Sequence, residues 1–154
     1  MKKRKGRITA KLIISPNPIL AQVCEPVEDG EDISGVLRDM RYILSNSKTG
    51  VGLAAPQAGH LKRIILVQDK GELLEMINPQ IIKYGRVKET LIEGCLSYPG
   101  IYKSIRRSTR VWLTWTYFTV SGLEIRTEHS FDGFSARIIQ HECDHLDGKC
   151  KVGY

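Results

Sequence analysis

The residues best suited to chemistry form one short run near the end of the 154-residue sequence, His141-Glu142-Cys143-Asp144-His145. A helix turns by about 100° per residue, so His141 and His145 lie about 40° apart on one face, where both imidazoles can bind the same metal ion. Glu142 is close enough to take the proton of a water molecule that the metal activates. The spacing therefore predicts a metallohydrolase, provided that a third ligand exists and one coordination position stays open. Two histidines on a polar helix surface are the alternative interpretation.

The third ligand is expected upstream of this run. Proteases with the same motif commonly use a later Glu or His, but no Glu, Asp or His follows Asp147 in this sequence. Cys95, within Glu93-Gly94-Cys95-Leu96-Ser97, is the candidate, because cysteine thiolate is a common ligand of such ions.

The other cysteines are not expected to bind the metal. Cys143 points about 200° away from His141 on a helix, so we expect it to pack in the core or to face solvent. Cys24 and Cys150 are predicted to have no catalytic role. Because the chain is expected to stay in the reducing cytosol, the four cysteines are expected as thiols or as a thiolate ligand and not as disulfides.

A third segment, Gly50-Val51-Gly52-Leu53-Ala54-Ala55-Pro56-Gln57, is rich in small residues. It lacks the third glycine of a dinucleotide-binding fingerprint and the Gly-Lys-Ser/Thr of a phosphate-binding loop. Considered alone, it is equally well explained as an ordinary loop.

Together, the three segments resemble the peptide deformylase family, whose members remove the formyl group from the initiator methionine of new bacterial and organellar polypeptides. The matches are G-x-G-L-A-A-P-Q at residues 50–57, E-G-C-L-S at 93–97 and Q-H-E-x-D-H-L at 140–146, in the family's order and approximate spacing. Residues 15–20 and 25–27 look like the family's N-terminal strand and turn. Residues 97–102 look closer to the plant-organelle-like members.

The resemblance implies the metal chemistry. Cys95, His141 and His145 are expected to hold one divalent ion, which is ferrous iron in cells and which zinc, nickel or cobalt can replace. Glu142 is expected to pass a proton from the attacking water to the leaving amine. The implied reaction is hydrolysis of the formamide bond of N-formyl-methionyl peptides and nascent chains, with release of formate.

The resemblance also implies supporting roles. The Gln57 side-chain amide and the Leu96 backbone N–H are expected to stabilise the oxyanion, although Gln57 could instead be an amide that fixes its loop. Glu93 and Arg107 are expected to pair and to hold the Cys95 loop against the neighbouring strand. Two unrelated surface charges are the alternative for this pair.

A methionine-sized apolar pocket is expected near the metal. Ile138 lies about 60° from His141 on the helix, whereas Ile139 lies about 160° away and is predicted to be a core residue. Residues of the predicted substrate site are Val51, Gly52, Leu96, Ile138 and, with weaker support, Tyr102. Ordinary core packing accounts equally well for the aliphatic members of this set.

Charge does not favour a nucleic-acid-binding protein. The net charge is +6, but Lys2, Lys3, Arg4, Lys5 and Arg7 carry +5 of it, which leaves 18 basic and 17 acidic residues in the rest of the chain. We therefore divide the sequence into a basic tail, residues 1–7, and a single catalytic domain, residues 8–154. A solvated tail is the simpler interpretation, and weak contact with ribosomal RNA is the functional one. The basic cluster at 103–110 is interpreted as a solvated strand edge, with Arg107 as the exception.

Hydrophobic periodicity predicts an α+β fold with a further helix near the N-terminus, and the resemblance implies mixed antiparallel sheets packed around the metal-binding helix. Apolar residues recur at helical spacing from Ile33 to Leu44. Strands are predicted at 63–68, 75–82, 86–92, 110–119 and 124–130, with a hairpin turn at 120–123. The final helix is predicted to begin near 133–135 and to end by Gly148.

No apolar run approaches the ~20 residues of a membrane span, and no secretory signal is present, so the protein is expected in the cytoplasm. After Gly148 the sequence departs from the apolar strand and C-terminal helix of most relatives. Short forms of this kind resemble deformylases of bacterial viruses, for which the location would be a host cytoplasm. The departure puts in doubt ribosome docking through such a helix but not the chemistry.

Three other functions remain open from the sequence. A metallopeptidase would cut internal peptide bonds. A noncatalytic ribosome-binding relative is disfavoured because the proposed ligands and Glu142 are all present. A nucleic-acid-binding protein that used the tail would keep its affinity after metal removal but lose it steeply with salt.

Overall fold

The computed structural model describes residues 8–154, so the basic tail and its predicted ribosomal contact lie outside the described residues. The helices are α1, Ser34–Ser45, and α2, Gly133–Leu146, with short 3-10 helices at Pro18–Ala21 and Ala55–Ala58. The strands are β1 Gly52–Ala54, β2 Ile64–Asp69, β3 Glu72–Tyr84, β4 Lys88–Glu93, β5 Lys103–Ser108, β6 Arg110–Thr119 and β7 Gly122–Asp132. Neither α1 nor α2, nor any other helix in this range, is long and apolar enough to cross a membrane.

The strands form two antiparallel sheets, and the fold is α+β, as predicted. One sheet has five strands in the order β1-β2-β3-β6-β7, and the other is the β4-β5 pair. The segments that carry the chemistry lie in β1 and the 3-10 helix after it, in the connection from β4 to β5, and in α2.

Strand β2 lies between two layers of helix. Its side chains Ile65 and Val67 pack in the apolar cluster that includes α2, whereas Ile64 and Leu66 pack in the cluster that includes α1. Successive side chains of a strand point to opposite faces. Both faces of β2 are therefore buried, which explains why this strand is apolar at four consecutive positions and does not alternate with polar residues.

Helix α2 ends in a Schellman motif that turns the chain back toward the site. The backbone N–H of Gly148 donates to His145 O at 3.1 Å, and that of Lys149 donates to Asp144 O at 2.9 Å. Gly148 has φ +67°, and a Cβ there would lie 2.5 Å from Ala21 O, so both conformation and space require glycine. Residues 150–152 consequently fold under the end of the helix and not away from it.

Most predicted elements are confirmed. Both helices and the β6-β7 hairpin occur where the periodicity placed them. Strand β1 was missed because its three residues, within the glycine-rich segment, are too few to show a period. The basic cluster that was interpreted as a strand edge forms much of β5; Arg106 is exposed there but Arg107 is buried, as the exception required.

Candidate metal centre

The three chemistry-bearing segments meet in one cleft of about 620 Å³. Helix α2 forms its floor, and residues 49–52 and 91–102 form its walls. Because α2 packs against β1 and β2, the face that carries both histidines is held against the glycine-rich segment. Distant parts of the chain thus line the same cavity.

The predicted ligands are adjacent in space. Cys95 Sγ lies 3.2 Å from His145 Nε2, and the ligand atoms of Cys95, His141 and His145 all lie within 4.8 Å of one another. In a tetrahedral site with ordinary bond lengths, sulfur and nitrogen ligands are about 3.5 Å apart. One thiolate and two imidazoles at these separations fit a single ion of zinc or a similar metal.

Glu93 orients one of the histidine ligands. Its Oε2 lies 2.9 Å from His141 Nδ1, which leaves Nε2 of that ring to face the cluster. Burial alone would raise the pKa of Glu93, but hydrogen bonds from His141 and Arg107 lower it to about 2. The carboxylate is therefore ionised at neutral pH and accepts a hydrogen bond from Nδ1–H.

Arg107 joins the cysteine loop to α2. Its guanidinium pairs with both oxygens of Glu93, with Nε to Oε1 at 2.6 Å and a second N–H to Oε2 at 3.0 Å. A further N–H donates to Asp144 Oδ2 at 2.8 Å, which identifies the partner of Asp144 that sequence alone could not supply. Both Glu93 and Arg107 are buried, so they are not unrelated surface charges.

Arg137 is a member of this network that sequence analysis missed. It donates to Glu93 Oε1 at 2.6 Å and to the backbone oxygens of Ile105 and Glu89 at 2.9 and 2.7 Å. It therefore connects α2 to both strands of the small sheet. An apolar helix face with one charged residue gave only a weak signal for this role.

Replacing Arg107 with alanine is expected to weaken metal binding by about 10- to 100-fold, the usual cost of removing a group that orients a ligand. The loss would leave Glu93 with one cationic partner fewer and would release the Cys95 loop from Asp144. Competition with a chromogenic chelator measures the affinity. Arg106→Ala is the matched control, since Arg106 neighbours it on β5 but is exposed. Equal affinities in the two variants would contradict a positioning role.

Glu142 projects a buried carboxylate beside the cluster. The residue is 5% exposed, and Oε2 has no hydrogen-bond partner among residues 8–154. Burial raises the pKa of Glu142 above its usual value. A Cβ at Gly52 would come within 2.7 Å of Glu142 Oε1 and of Ile138, so only glycine leaves this carboxylate its place.

The Gln57 amide is held in one orientation. Its Oε1 accepts a hydrogen bond from Ala54 N at 2.9 Å, and Nε2 donates to Ser97 Oγ at 3.1 Å and to Cys95 Sγ at 3.6 Å. An amide nitrogen carries two hydrogens, so both have partners here, and the longer bond to sulfur is the one that a stronger acceptor in the cleft could replace. The loop-fixing role is therefore observed, and the donor role requires that the bond to Cys95 be exchanged.

The apolar candidates differ in exposure. Val51 is 38% exposed and Tyr102 71%, whereas Ile138 is 4% exposed and belongs both to the cleft wall and to the core. Leu96 is partly buried and also lines the cleft. Ile139 is fully buried in the core, as predicted.

The cysteines divide into two groups. Cys24 is buried in the core, and Cys143 packs against that core, which is the first of the two positions expected for it. Cys150 differs from expectation: its sulfur lies in the same cluster as Cys95, His141 and His145. All four cysteines of the chain are free thiols in the structure.

Cys95 and Cys150 act electrostatically as a pair. The mutual interaction of the two neighbouring thiols lowers the pKa of Cys150 and, together with burial, raises that of Cys95, and the nearby His145 further favours a thiolate at Cys150. A divalent cation would bind to such a site strongly.

The chemistry of the donor set fits a bound divalent ion, with His145 Nε2 directed at Cys95 Sγ. Thiolate and imidazole ligands suit zinc, iron, nickel or cobalt better than magnesium or calcium. The cleft thus combines metal ligands, a buried carboxylate and an oriented amide donor, which together suit hydrolysis of a carbonyl compound.

Comparison with known proteins gives concordant results. The family profile described as polypeptide deformylase matches residues 9–152. The chain is 35% identical to peptide deformylase 2 of Clostridium acetobutylicum over 139 residues, which cover 88% of this chain and 87% of that protein.

Solved structures of the same family are also similar to this chain. The peptide deformylase of Thermotoga maritima has a TM-score of 0.82 at 31% identity and covers 94% of this chain and 95% of its own. The Met-Ala-Ser-bound class I type b peptide deformylase of Acinetobacter baumannii has a TM-score of 0.79 at 31% identity and covers 95% and 98% of the two chains.

Proposed function

The chain belongs to the polypeptide deformylase family, and from this membership and the geometry of the cleft we propose how its own residues remove the formyl group from N-formyl-methionyl peptides. The observation that carries the proposal is the cluster of Cys95, His141 and His145 beside the buried carboxylate of Glu142. The enzyme is metal-dependent, like its family, and acts on peptides.

Cys95, His141 and His145 are the proposed ligands of one divalent ion. Bound there, the ion would supply Lewis acidity, which lowers the pKa of water from 15.7 toward ~7. We propose ferrous iron in cells, with zinc, nickel or cobalt as substitutes, since the ligand types suit all four. Glu93 orients His141 through Nδ1, and Arg107 and Arg137 keep Glu93 in place.

Glu142 is the proposed proton carrier. Glu142 lines the cleft beside the cluster, its buried Oε2 has no hydrogen-bond partner among the described residues, and its raised pKa suits a group that accepts a proton and then returns it. It takes the proton from the water as the formyl carbon is attacked. It then donates that proton to the amine nitrogen as the C–N bond breaks, which releases formate and a free N-terminus.

Gln57 and Leu96 are the proposed oxyanion donors. The amide hydrogen of Gln57 that is directed at Cys95 Sγ and the backbone N–H of Leu96 would stabilise the oxygen as negative charge grows on it. The bond from Ala54 N to Gln57 Oε1 fixes which end of the amide faces the cleft. Such pre-organised donors need no rearrangement during the reaction.

Val51, Leu96 and Ile138 are proposed to bind the methionine side chain, with Tyr102 at the exposed rim. Gly52 would offer backbone groups to the extended peptide, since strand β1 has β2 on one side only. Only an apolar side chain of suitable length gains from burial against this wall.

The protein loaded anaerobically with iron is expected to release formate from formyl-Met-Ala-Ser and to cleave the formyl-Gly analogue about 10- to 150-fold more slowly. This range corresponds to the 1.5–3 kcal/mol gained by burying one large apolar side chain. Formate release at several peptide concentrations gives kcat/KM for each substrate. Equal values would contradict the methionine pocket.

Two control substrates test the reaction class. Acetyl-Met-Ala-Ser is expected to react far more slowly, because its extra methyl group crowds the carbonyl carbon beside Glu142. Casein is expected to remain intact. Cleavage of casein at a rate comparable to deformylation would instead support a metallopeptidase.

A further inference from the structure

Cys150 occupies a position that the three-ligand site does not use. Its sulfur and the ligand atoms of Cys95, His141 and His145 all lie within 4.8 Å of one another, and Cys150 is 1% exposed. We propose that Cys150 is a fourth protein ligand, which closes the metal site in the absence of substrate and leaves the metal when a peptide binds. This inference rests on the proposed function, because it concerns the same metal.

The backbone holds Cys150 at this position. The Schellman motif at Gly148 reverses the chain after α2, and the N–H of Gly153 donates to Cys150 O at 3.0 Å in a second turn. Val152, two residues on, is fully buried in a cluster with Leu20 and Tyr98. The sulfur is therefore fixed by packing and is not carried on a loose end.

The distances among the four ligand atoms suit binding of one shared ion. Four ligands in a tetrahedral site of two sulfurs and two nitrogens are about 3.3–3.8 Å apart. The largest separation between two of the four ligand atoms is at most 4.8 Å. Small side-chain rotations would bring these atoms to bonding distance of one ion. Cys95 packs against the same small apolar cluster as Cys150, so both sulfurs approach from one side.

The chemical consequence concerns the coordination position needed for hydrolysis. Two thiolates and two imidazoles are the closed ligand set of structural zinc sites, whereas a hydrolytic site keeps one position open. A second thiolate also makes the complex of a divalent ion neutral, which weakens its Lewis acidity. Cys150 and the attacking water would therefore compete for one position, which peptide binding would have to open, and the ion would be held more tightly while the enzyme rests.

A purely structural cysteine looks different in this chain. Cys24 is also buried, but it lies in the main core, outside the cluster of ligand atoms. Cys150 is next to two imidazoles and a thiol, which are groups that a simple packing residue does not require. Cys24→Ser is accordingly the control for changes at Cys150.

X-ray absorption of the zinc-loaded wild-type protein tests the proposal without any substitution. Two sulfur and two nitrogen scatterers at bonding distance are expected. One sulfur with three nitrogen or oxygen scatterers would overturn the proposal. The measurement reports the ligands directly and does not depend on turnover.

Cobalt-loaded variants provide a second test. The sulfur-to-cobalt charge-transfer absorption per bound ion is expected to fall to about half in Cys150→Ser and Cys150→Ala, and to stay unchanged in Cys24→Ser. Zinc affinity, from chelator competition, is expected to fall by more than the ~10- to 100-fold cost of losing an outer-shell partner. Undiminished absorption in a folded Cys150 variant would overturn the proposal.

Addition of a peptide tests whether peptide binding displaces Cys150 from the metal. Saturating Met-Ala-Ser, the reaction product, should lower the charge-transfer absorption of the cobalt-loaded wild type to the level of Cys150→Ser. An unchanged band with bound peptide would overturn the competition. Hydrolysis of formyl-Met-Ala-Ser by the same samples tests the proposed function separately. The number of sulfur ligands on the metal is measured whether or not that peptide is cleaved.

Discussion

Replacing Glu142 with glutamine is expected to leave the metal bound and to reduce kcat by about 10²–10⁴-fold, the usual contribution of a positioned proton carrier. Glutamine keeps the size of the side chain but cannot accept the proton of the attacking water. Because Gly52 and Ile138 enclose this position closely, the isosteric change tests the proton and not the packing. Formate release from formyl-Met-Ala-Ser, together with metal analysis of each sample, checks the prediction.

The control for this variant is Glu89→Gln, which removes an acidic group from the exposed surface of β4. It should retain both metal and turnover. Unchanged turnover in Glu142→Gln would exclude Glu142 as the proton carrier. Loss of metal from that variant would instead make the residue a support for the ligands.

Removal of the Gln57 amide is expected to have the second large effect on turnover. Gln57→Ala is expected to lower kcat by about 10²–10³-fold, as is typical for loss of one oxyanion donor. KM should change little, since the donor acts mainly on the charge that develops in the transition state. Steady-state kinetics with formyl-Met-Ala-Ser separates the two constants.

A structural role for Gln57 would give a different pattern. The side chain also fixes Ala54 and Ser97, so its loss could loosen the loop that carries Cys95. Ser97→Ala removes one of these hydrogen bonds but retains the amide, and it is expected to cost less than Gln57→Ala. Equal losses in the two variants, or a large loss of metal from Gln57→Ala, would contradict the donor role.

Features that depend on local geometry could be predicted from the residues alone. The spacing of His141 and His145 places both rings on one helical face, and the same arithmetic separates Cys143 from them and assigns Ile139 to the core. Periodicity also located α1, α2 and the β6-β7 hairpin. These features repeat within one element, so a few neighbouring residues suffice to predict them.

Contacts between distant residues became visible only in the folded molecule. The residues around Arg137 give a weak signal for a buried charge but none for its partner Glu93, 44 positions earlier. Asp144 finds its partner on β5 only because α2 lies beside the small sheet. Such contacts depend on the path of the loops and on packing between layers, which no short-range period records.

The position of Cys150 is the clearest example of a contact that no sequence pattern predicts. In sequence it is a single cysteine after a helix, without a motif of its own. The Schellman turn at Gly148 reverses the chain, and burial of Val152 with Leu20 and Tyr98 draws the segment under the metal site. Sequence supplied the thiol, but packing of distant apolar side chains decided that it would lie among the metal ligands.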